Sequence, residues 1–482
     1  MKSNNLPLIE AIQQHQRNRP VSFHVPGHKN GTVFHHTIHK DFQSVLPYDV
    51  TELSGLDDLH APTGAILEAQ QAAARFYQAK ETFFLVGGST VGNLAMVYGM
   101  FRRGDQVFVQ RNSHKSIFHA LQIAGLTAIL LTPDFDDESG LAVGISKQTL
   151  QKALNMYPRT KGLLITYPNY FGVSIDVQPL IALAKQQNLH VLVDEAHGAH
   201  FCLGQSFPPS TLQLGADVVV QSAHKMLPAL TMSSFLHISH KLNDHFRHNI
   251  KEALSMFQSS SPSYLLMASL DGARAYAESL SKRELNLILA GVQAVKEELS
   301  TIKQFRILNW DDRYLSDPLK VTIRTTTSLT GFELQEIFSK NNIYPELADD
   351  KHVLFIFGLG ENRLDKEAVE LIRQSLHGYE VRNEELGMNA PKVEMDVKQL
   401  EVSANECRQL PKRRIPLEEA CGFVAAEAII PYPPGVPIIL PGERIDRNTL
   451  AQIMKLIEAG ATFQVERQLE DVLVIDSEDE NG

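Results

Sequence analysis

One stretch, residues 189–236, constrains the fold more than any other, because in it two short apolar runs each break off into polar groups. The first run, Leu189-His190-Val191-Leu192-Val193, leads into Asp194-Glu195-Ala196-His197-Gly198. The second, Val218-Val219-Val220, leads into Gln221-Ser222-Ala223-His224-Lys225. Both are short, rich in β-branched residues and bounded by polar signals, so both read as buried strands. In an open α/β sheet, ligands gather at the carboxyl ends of the strands. Asp194 and Lys225 are thereby delivered to one rim, each just past a strand.

An acid and a lysine at one rim are what pyridoxal 5'-phosphate requires. The amine bonds the cofactor aldehyde, and the carboxylate keeps the pyridine nitrogen protonated so that the ring accepts electrons. An ordinary salt bridge is the plain alternative for an isolated Asp and Lys. The flanks favour the cofactor: small and hydroxyl residues crowd Lys225, and His224 directly precedes it.

A phosphate needs its own pocket. Residues 82–86, Thr-Phe-Phe-Leu-Val, read as a strand, and Gly87-Gly88-Ser89-Thr90-Val91-Gly92-Asn93 opens a helix that should turn Leu94, Val97, Tyr98 and Phe101 inward. Strand, glycines, hydroxyls and helix together offer backbone N–H groups and a helix dipole to an anion. This is neither a P-loop nor a dinucleotide fingerprint, since the lysine and the third-glycine spacing are missing. Taken alone it would be a helix cap; beside Asp194 and Lys225 it supplies the missing pocket. A further strand at 106–110 ends in Arg111-Asn112-Ser113-His114, which brings His114 to the same rim. There an imidazole can stack on a flat ring or cap the next helix.

Strands and helices alternate from about 65 to 240, which gives a mostly parallel sheet covered on both faces. The chain is long enough for two or three domains, and its 43% apolar and 21% charged residues are those of a soluble globular protein. A net charge of −11, with no basic stripe, argues against nucleic-acid binding. Cys202, Cys407 and Cys421 are too few and scattered for a disulfide framework or a zinc site, so a cytoplasmic protein with no metal is expected. No signal peptide and no membrane span is read.

Around this centre lie segments of other character. A leading helix is expected over 6–16, followed by the Pro- and Gly-rich loop Phe23-His24-Val25-Pro26-Gly27-His28-Lys29-Asn30-Gly31. His35, His36 and His39 read as solvated helix-face residues. Residues 49–64 form another turn-rich, acidic loop. Beyond a long amphipathic helix at about 281–304, a compact α+β region is expected, with strands at 319–325 and 352–358 and helices at 331–340 and 365–377. Near the end, Pro431, Pro433, Pro434, Pro437 and Pro441 fix an extended path, bracketed by Glu427 and Glu443. Either carboxylate could meet a cationic substrate end, or both could be ordinary surface acids. The last residues, 476–482, read as an acidic tail. The resulting division is an arm at 1–48, a cofactor-binding large domain at 49–290, and a C-terminal α+β region at 291–482 with a distinct segment at about 390–475.

Seven of these stretches, FHVPGHKNG, DVTELSGLDDLH, GGSTVGN, RNSHKS, DEAHGAH, SAHK and YPPGVPIILPGE, together resemble the ornithine/lysine/arginine decarboxylase family. They stand in the family's order and reach from about residue 20 to 445. The resemblance implies an aspartate-aminotransferase-like fold, pyridoxal-phosphate fold type I, with a mostly parallel seven-stranded sheet and a smaller α+β C-terminal domain. It implies that Lys225 carries the cofactor, Asp194 pairs with the pyridinium nitrogen and His114 stacks on the ring. Gly88, Ser89, Thr90 and Ser222 would bind the phosphate, with His224 beside the cofactor and His197 near the ring oxygen or the substrate. The proline-rich segment would line the substrate entrance. The implied activity is decarboxylation of arginine, lysine or ornithine to the amine and CO₂, in polyamine-related metabolism, by at least a homodimer.

The sequence departs from the family twice. It begins almost directly at the arm, so it resembles the short, wingless branch, and the high-order rings of winged members are not implied. Leu227-Pro228 also follows His224-Lys225-Met226 where many relatives have small residues. An aminotransferase of the same fold is the nearest alternative. It would clamp the substrate carboxylate with an arginine, for which Arg324, Arg363 and Arg373 stand in the right region but in no telling motif. A non-catalytic regulatory homologue is the alternative from another class.

Overall fold

The computed structural model describes residues 5–204, 206–362, 366–382, 397–432, 435–464 and 469–476. Arg363, Pro433, Pro434, residues 383–396 and the tail from 477 lie outside them. The chain forms two compact units, Met1–Phe101 with His190–Leu285, and Arg102–Leu189 with Asn286–Gly482. The class is mixed α/β with a large, mostly parallel sheet.

In the first unit four strands run in the order Glu81–Leu85, Ser234–Ile238, Val218–Gln221, His190–Asp194. The last two are parallel, with Asp194 opposite Val220, and Ser234–Ile238 is antiparallel to both of its neighbours. The runs read as strands are therefore strands, and each is buried throughout or nearly so. The helix Gly88–Met100 packs on them. Its buried residues are Gly92, Asn93, Ala95, Met96, Val97, Gly99 and Met100. Val97 and Phe101 do turn inward, but Leu94 is half-buried and Tyr98 is 41% exposed, against the expectation. The helix is covered on two sides, so small residues rather than large ones mark its contacts. A Cβ on Gly92 would come within 2.8 Å of Val220, and one on Gly99 within 2.8 Å of the Ile250 backbone.

Two further devices hold this unit together. The acidic loop at 49–64 is a helix cap: the Asp57 carboxylate accepts N–H groups from Thr63, Gly64 and Ile66 at 2.8, 2.8 and 3.0 Å, at the start of Ala65–Tyr77. Anions are favoured there because the first-turn N–H groups lack helical partners. The leading helix Pro7–Arg17 is tied by Leu8 N–H to Asp271, which also pairs with buried Arg274 at 2.6 Å.

The second unit carries Gly162–Thr166, Gln106–Gln110 and Thr127–Leu131, in that order and parallel, with Val397–Gln399 added antiparallel at the edge. Val397–Gln399 is a strand beyond those that the sequence reading expected. The α+β region follows as an antiparallel sheet, Phe305–Ile307, Lys320–Thr325, His352–Ile356, Leu347–Ala348, covered by Gly331–Lys340 and Lys366–Leu376 around a core that includes Ile323, Phe338 and Val353. A separate apolar cluster, with Ile415, Ile429, Ile453 and Val472, organises the last part of the chain.

Candidate active site

In the first unit the two strand ends bring two turns together. Asp194 closes one strand and is 3% exposed. Its carboxylate accepts an N–H from the Asn93 side chain at 2.9 Å and one from Ala196 N at 3.2 Å. Asn93 lies one helical turn beyond Ser89, on the same face, so one helix presents a hydroxyl to the rim and an amide to the acid. The next strand ends at Gln221, and Ser222 starts the short helix Ala223–Met226, which holds His224 and Lys225. Lys225 Nζ stands 3.1 Å from His197 Nε2, so the second turn reaches back to the first. His224 Nδ1 lies 3.0 Å from the Ser233 carbonyl, which also accepts the His224 backbone N–H.

A hydroxyl cluster sits at the helix start. Ser89 Oγ is 2.7 Å from Ser222 Oγ and donates to Ser234 Oγ at 3.2 Å. Gly88 has φ +75°, a conformation that strains any residue with a Cβ. Open space lies where that Cβ would be. Thr90 is exposed on the first turn. Four hydroxyls, Ser89 and Thr90 in the first turn of a thirteen-residue helix with Ser222 and Ser234 against Ser89, form an anion cradle by donor chemistry alone. With a buried carboxylate and an amine nearby in the same unit, the donor set fits pyridoxal phosphate.

The structure therefore places Gly88, Ser89, Thr90, Asp194, His197, Ser222, His224 and Lys225 in one unit. His114 belongs to the other. It caps Lys115–Ala124, its Nδ1 accepting from Ser116 N at 3.3 Å and lying 2.8 Å from Ser116 Oγ. The proline-rich segment packs against it: Gly435 O accepts the Lys115 N–H at 3.1 Å, and a Cβ on Gly435 would meet His114 Nε2 at 3.2 Å. The same segment is pinned by Arg111, which donates to Pro437 O at 2.8 Å, Ile438 O at 2.6 Å and Glu443 at 2.8 Å. Glu443 also faces Lys398 at 3.5 Å, and Glu427 is paired with Arg414 at 3.1 Å. Both bracketing carboxylates thus hold the chain together, and Glu443, 6% exposed, is not the surface acid that the plainer reading expected.

Residues 6–311 match the major domain described for Orn/Lys/Arg decarboxylases, and residues 384–465 match that family's C-terminal domain.

The chain belongs to the Orn/Lys/Arg decarboxylase family.

Members of this family are carbon–carbon lyases, and the chain is an enzyme of that class. Its relatives include the uncharacterized protein YaaO of Bacillus subtilis, 42% identical over 94% of both chains. An arginine decarboxylase of Bacillus subtilis is 34% identical over 96% of both. Among solved structures, the constitutive lysine decarboxylase of E. coli superposes with a TM-score of 0.80 at 19% identity, over 98% of this chain and 82% of that one, which shows a shared fold.

Asn93 and Ser234 escaped the sequence reading. The Ser89-to-Asn93 spacing was the available signal for the first. Ser234 lies inside a strand, where nothing in the sequence marks it. Of the arginines weighed for a substrate clamp, Arg324 donates to the Glu138 carbonyl, and Arg373 pairs with Glu370 at 2.5 Å and donates to Thr301 at 2.8 Å. A cavity of about 480 Å³ in the second unit, lined by Lys115, Phe118, Glu401, Ala404 and Pro441 among others, contains none of the expected site residues.

Proposed function

We propose that this protein decarboxylates a basic L-amino acid, arginine before lysine or ornithine, to the corresponding amine and CO₂, with pyridoxal 5'-phosphate as cofactor. One observation supports the reading above the others: Lys225 Nζ lies 3.1 Å from His197 on a turn whose neighbour holds a buried carboxylate. Arginine is put first because the relatives from Bacillus and Halalkalibacterium at 31–34% identity are named arginine decarboxylases, whereas those named lysine decarboxylases stand at 23–26%.

When bound, pyridoxal phosphate supplies an electron sink for the pair left behind as CO₂ departs. The protein does the rest. Lys225 would provide the amine that holds the cofactor. His197 Nε2 takes or returns a proton at Lys225 Nζ. Asp194, oriented by Asn93, would pair with the ring nitrogen in a water-poor setting where such an interaction counts most. Ser89, Thr90, Ser222 and Ser234, with the helix N-terminus, would anchor the phosphate, and the family resemblance gives His114 the role of stacking on the ring. The arm at 1–48 and the large domain at 49–290 are proposed to serve this site in a cytoplasmic homodimer.

The test is parallel measurement of CO₂ release and amine identity with arginine, lysine and ornithine, with pyridoxal phosphate present. One preferred substrate supports the reading. A keto-acid product without CO₂ would move the protein to the aminotransferases. Bound cofactor with no turnover on any amino acid would move it to the regulatory homologues. Lys225→Ala is expected to abolish turnover and the absorbance of bound cofactor, and normal turnover in that variant would remove the assignment.

A further inference from the structure

Behind the two turns of the candidate site runs a chain of buried polar side chains that the proposed chemistry does not use. Glu195 follows Asp194 in sequence and is 0% exposed. Its carboxylate accepts four hydrogen bonds: Ser210 Oγ at 2.8 Å, Thr211 N at 2.7 Å, Thr211 Oγ1 at 2.5 Å and Gln221 Nε2 at 2.6 Å. Gln221 Oε1 lies 3.0 Å from His237 Nε2, and His237 Nδ1 lies 2.9 Å from Thr82 Oγ1. Gln221 and His237 are fully buried and Thr82 is 1% exposed.

The chain has a direction. The Gln221 amide nitrogen also reaches Gly198 O at 3.3 Å, so its oxygen is left for His237. His237 must then carry its proton on Nε2, and its Nδ1 accepts from the Thr82 hydroxyl. A carboxylate at one end, taking four donors, fixes the orientation of every group behind it. Burying such a group is costly unless its hydrogen bonds are satisfied, so a bare packing role would be served better by an apolar residue.

The carboxylate stitches together the two turns that carry the site. Glu195 N–H donates to Val220 O at 2.8 Å, and Ser222 N–H donates to Ala196 O at 3.3 Å, so main chain and side chain bind the same two segments. One turn bears Asp194 and His197, the other Ser222 and Lys225.

We propose that Glu195 is a positioning residue: through Gln221 it sets Asp194 and His197 against Ser222 and Lys225 for cofactor binding and turnover. This rests on the reading of the site given above. Glu195→Gln keeps the shape but places an amide where only acceptors fit. The new amide is accommodated only if Gln221 turns over, leaves Gly198 O and forces His237 to move its proton to Nδ1. Exchanging the two groups, E195Q with Q221E, restores one donor and one acceptor at that contact and leaves His237 undisturbed.

The experiment, at pH 8 where Glu195 is the carboxylate, measures pyridoxal phosphate affinity by absorbance titration, kcat and KM, and the melting midpoint of the cofactor-free protein, for wild type, E195Q and the exchange variant. E195Q is expected to weaken cofactor affinity and lower kcat by about tenfold or more with little change in KM, as small misplacements of reacting groups do. The exchange variant is expected to recover most of both. If E195Q lowers only the melting midpoint, or the exchange restores neither affinity nor kcat, the positioning role is overturned. If wild type itself binds no pyridoxal phosphate, the underlying reading of the site fails instead.

Discussion

Within one buried chain of the first unit, a carboxylate and an imidazole titrate in opposite senses. Burial pushes the Glu195 carboxyl up to about 7 from its ordinary 4.5, against the pull of its donors. Burial also pushes the His237 imidazole down to about 3 from 6.5. Between pH 4.5 and 7 the folded protein therefore keeps a proton on Glu195 that the unfolded chain has lost, so this group's contribution falls as pH rises. Between pH 6.5 and 3 the unfolded chain takes up a proton that folded His237 refuses, so that contribution falls as pH drops. At ~1.4 kcal/mol per pK unit the Glu195 shift is worth about 3 kcal/mol and the His237 shift about 5 kcal/mol, and in the window they share, pH 4.5 to 6.5, the two largely offset. Single variants should separate them. As pH rises from 4.5 to 6.5, wild type should gain in melting midpoint over His237→Gln and lose relative to Glu195→Gln. Parallel curves for all three proteins would show that neither group titrates as its burial requires.

Among the elements, the helix Gly88–Met100 shows both how much the sequence disclosed and where it stopped. Its start was legible, because Gly87-Gly88-Ser89-Thr90 after an apolar run departs from helical and strand patterns alike. Its packing was not. A helix covered on two sides loses the one-sided periodicity on which such readings depend, so Leu94 and Tyr98 were assigned inward when Gly92, Asn93 and Gly99 make the close contacts. The strands ending at Asp194 and Gln221 were legible for the opposite reason: each apolar run stops sharply at a polar turn. Asn93, Ser234 and the Glu195–Gln221–His237 chain act from element interiors, where a pattern reports burial but not which polar groups meet. Gly99→Ala tests the packing directly. The added methyl would sit 2.8 Å from Cα and N of Ile250, and backbone cannot rotate away as a side chain can. The helix Asp244–Phe257 must therefore shift, at a cost of about 1–3 kcal/mol. A drop in melting midpoint is expected, with weaker cofactor binding to the extent that the helix Gly88–Met100, which carries Ser89 and Asn93, shares the displacement. A midpoint equal to wild type would mean the two helices separate freely.

For the molecule as a whole, the arm carries the information about assembly. No described residue from 13 to 45 is fully buried, although the segment holds Val21 at 78%, Phe23 at 92%, Val25 at 65% and Val33 at 61% exposure. Its neighbours behave differently: Leu8 and Ile12 on one side and Leu46 on the other are buried in the first unit. The arm is thus anchored at both ends and offers apolar side chains between them. Each such side chain gains about 1.5–3 kcal/mol when it is removed from water. A second copy of the chain is the occupant that the proposed homodimer supplies. Phe23→Asp, a change on an exposed side chain that leaves the fold of one copy intact, should then shift the protein from dimer to monomer in sedimentation velocity. Wild-type activity should fall on dilution, and the variant's should fall at higher protein concentration. If the variant stays dimeric with unchanged turnover, the arm does not hold the assembly together. If wild type sediments as an active monomer, the site is complete within one chain, and the arm's apolar residues serve a different surface.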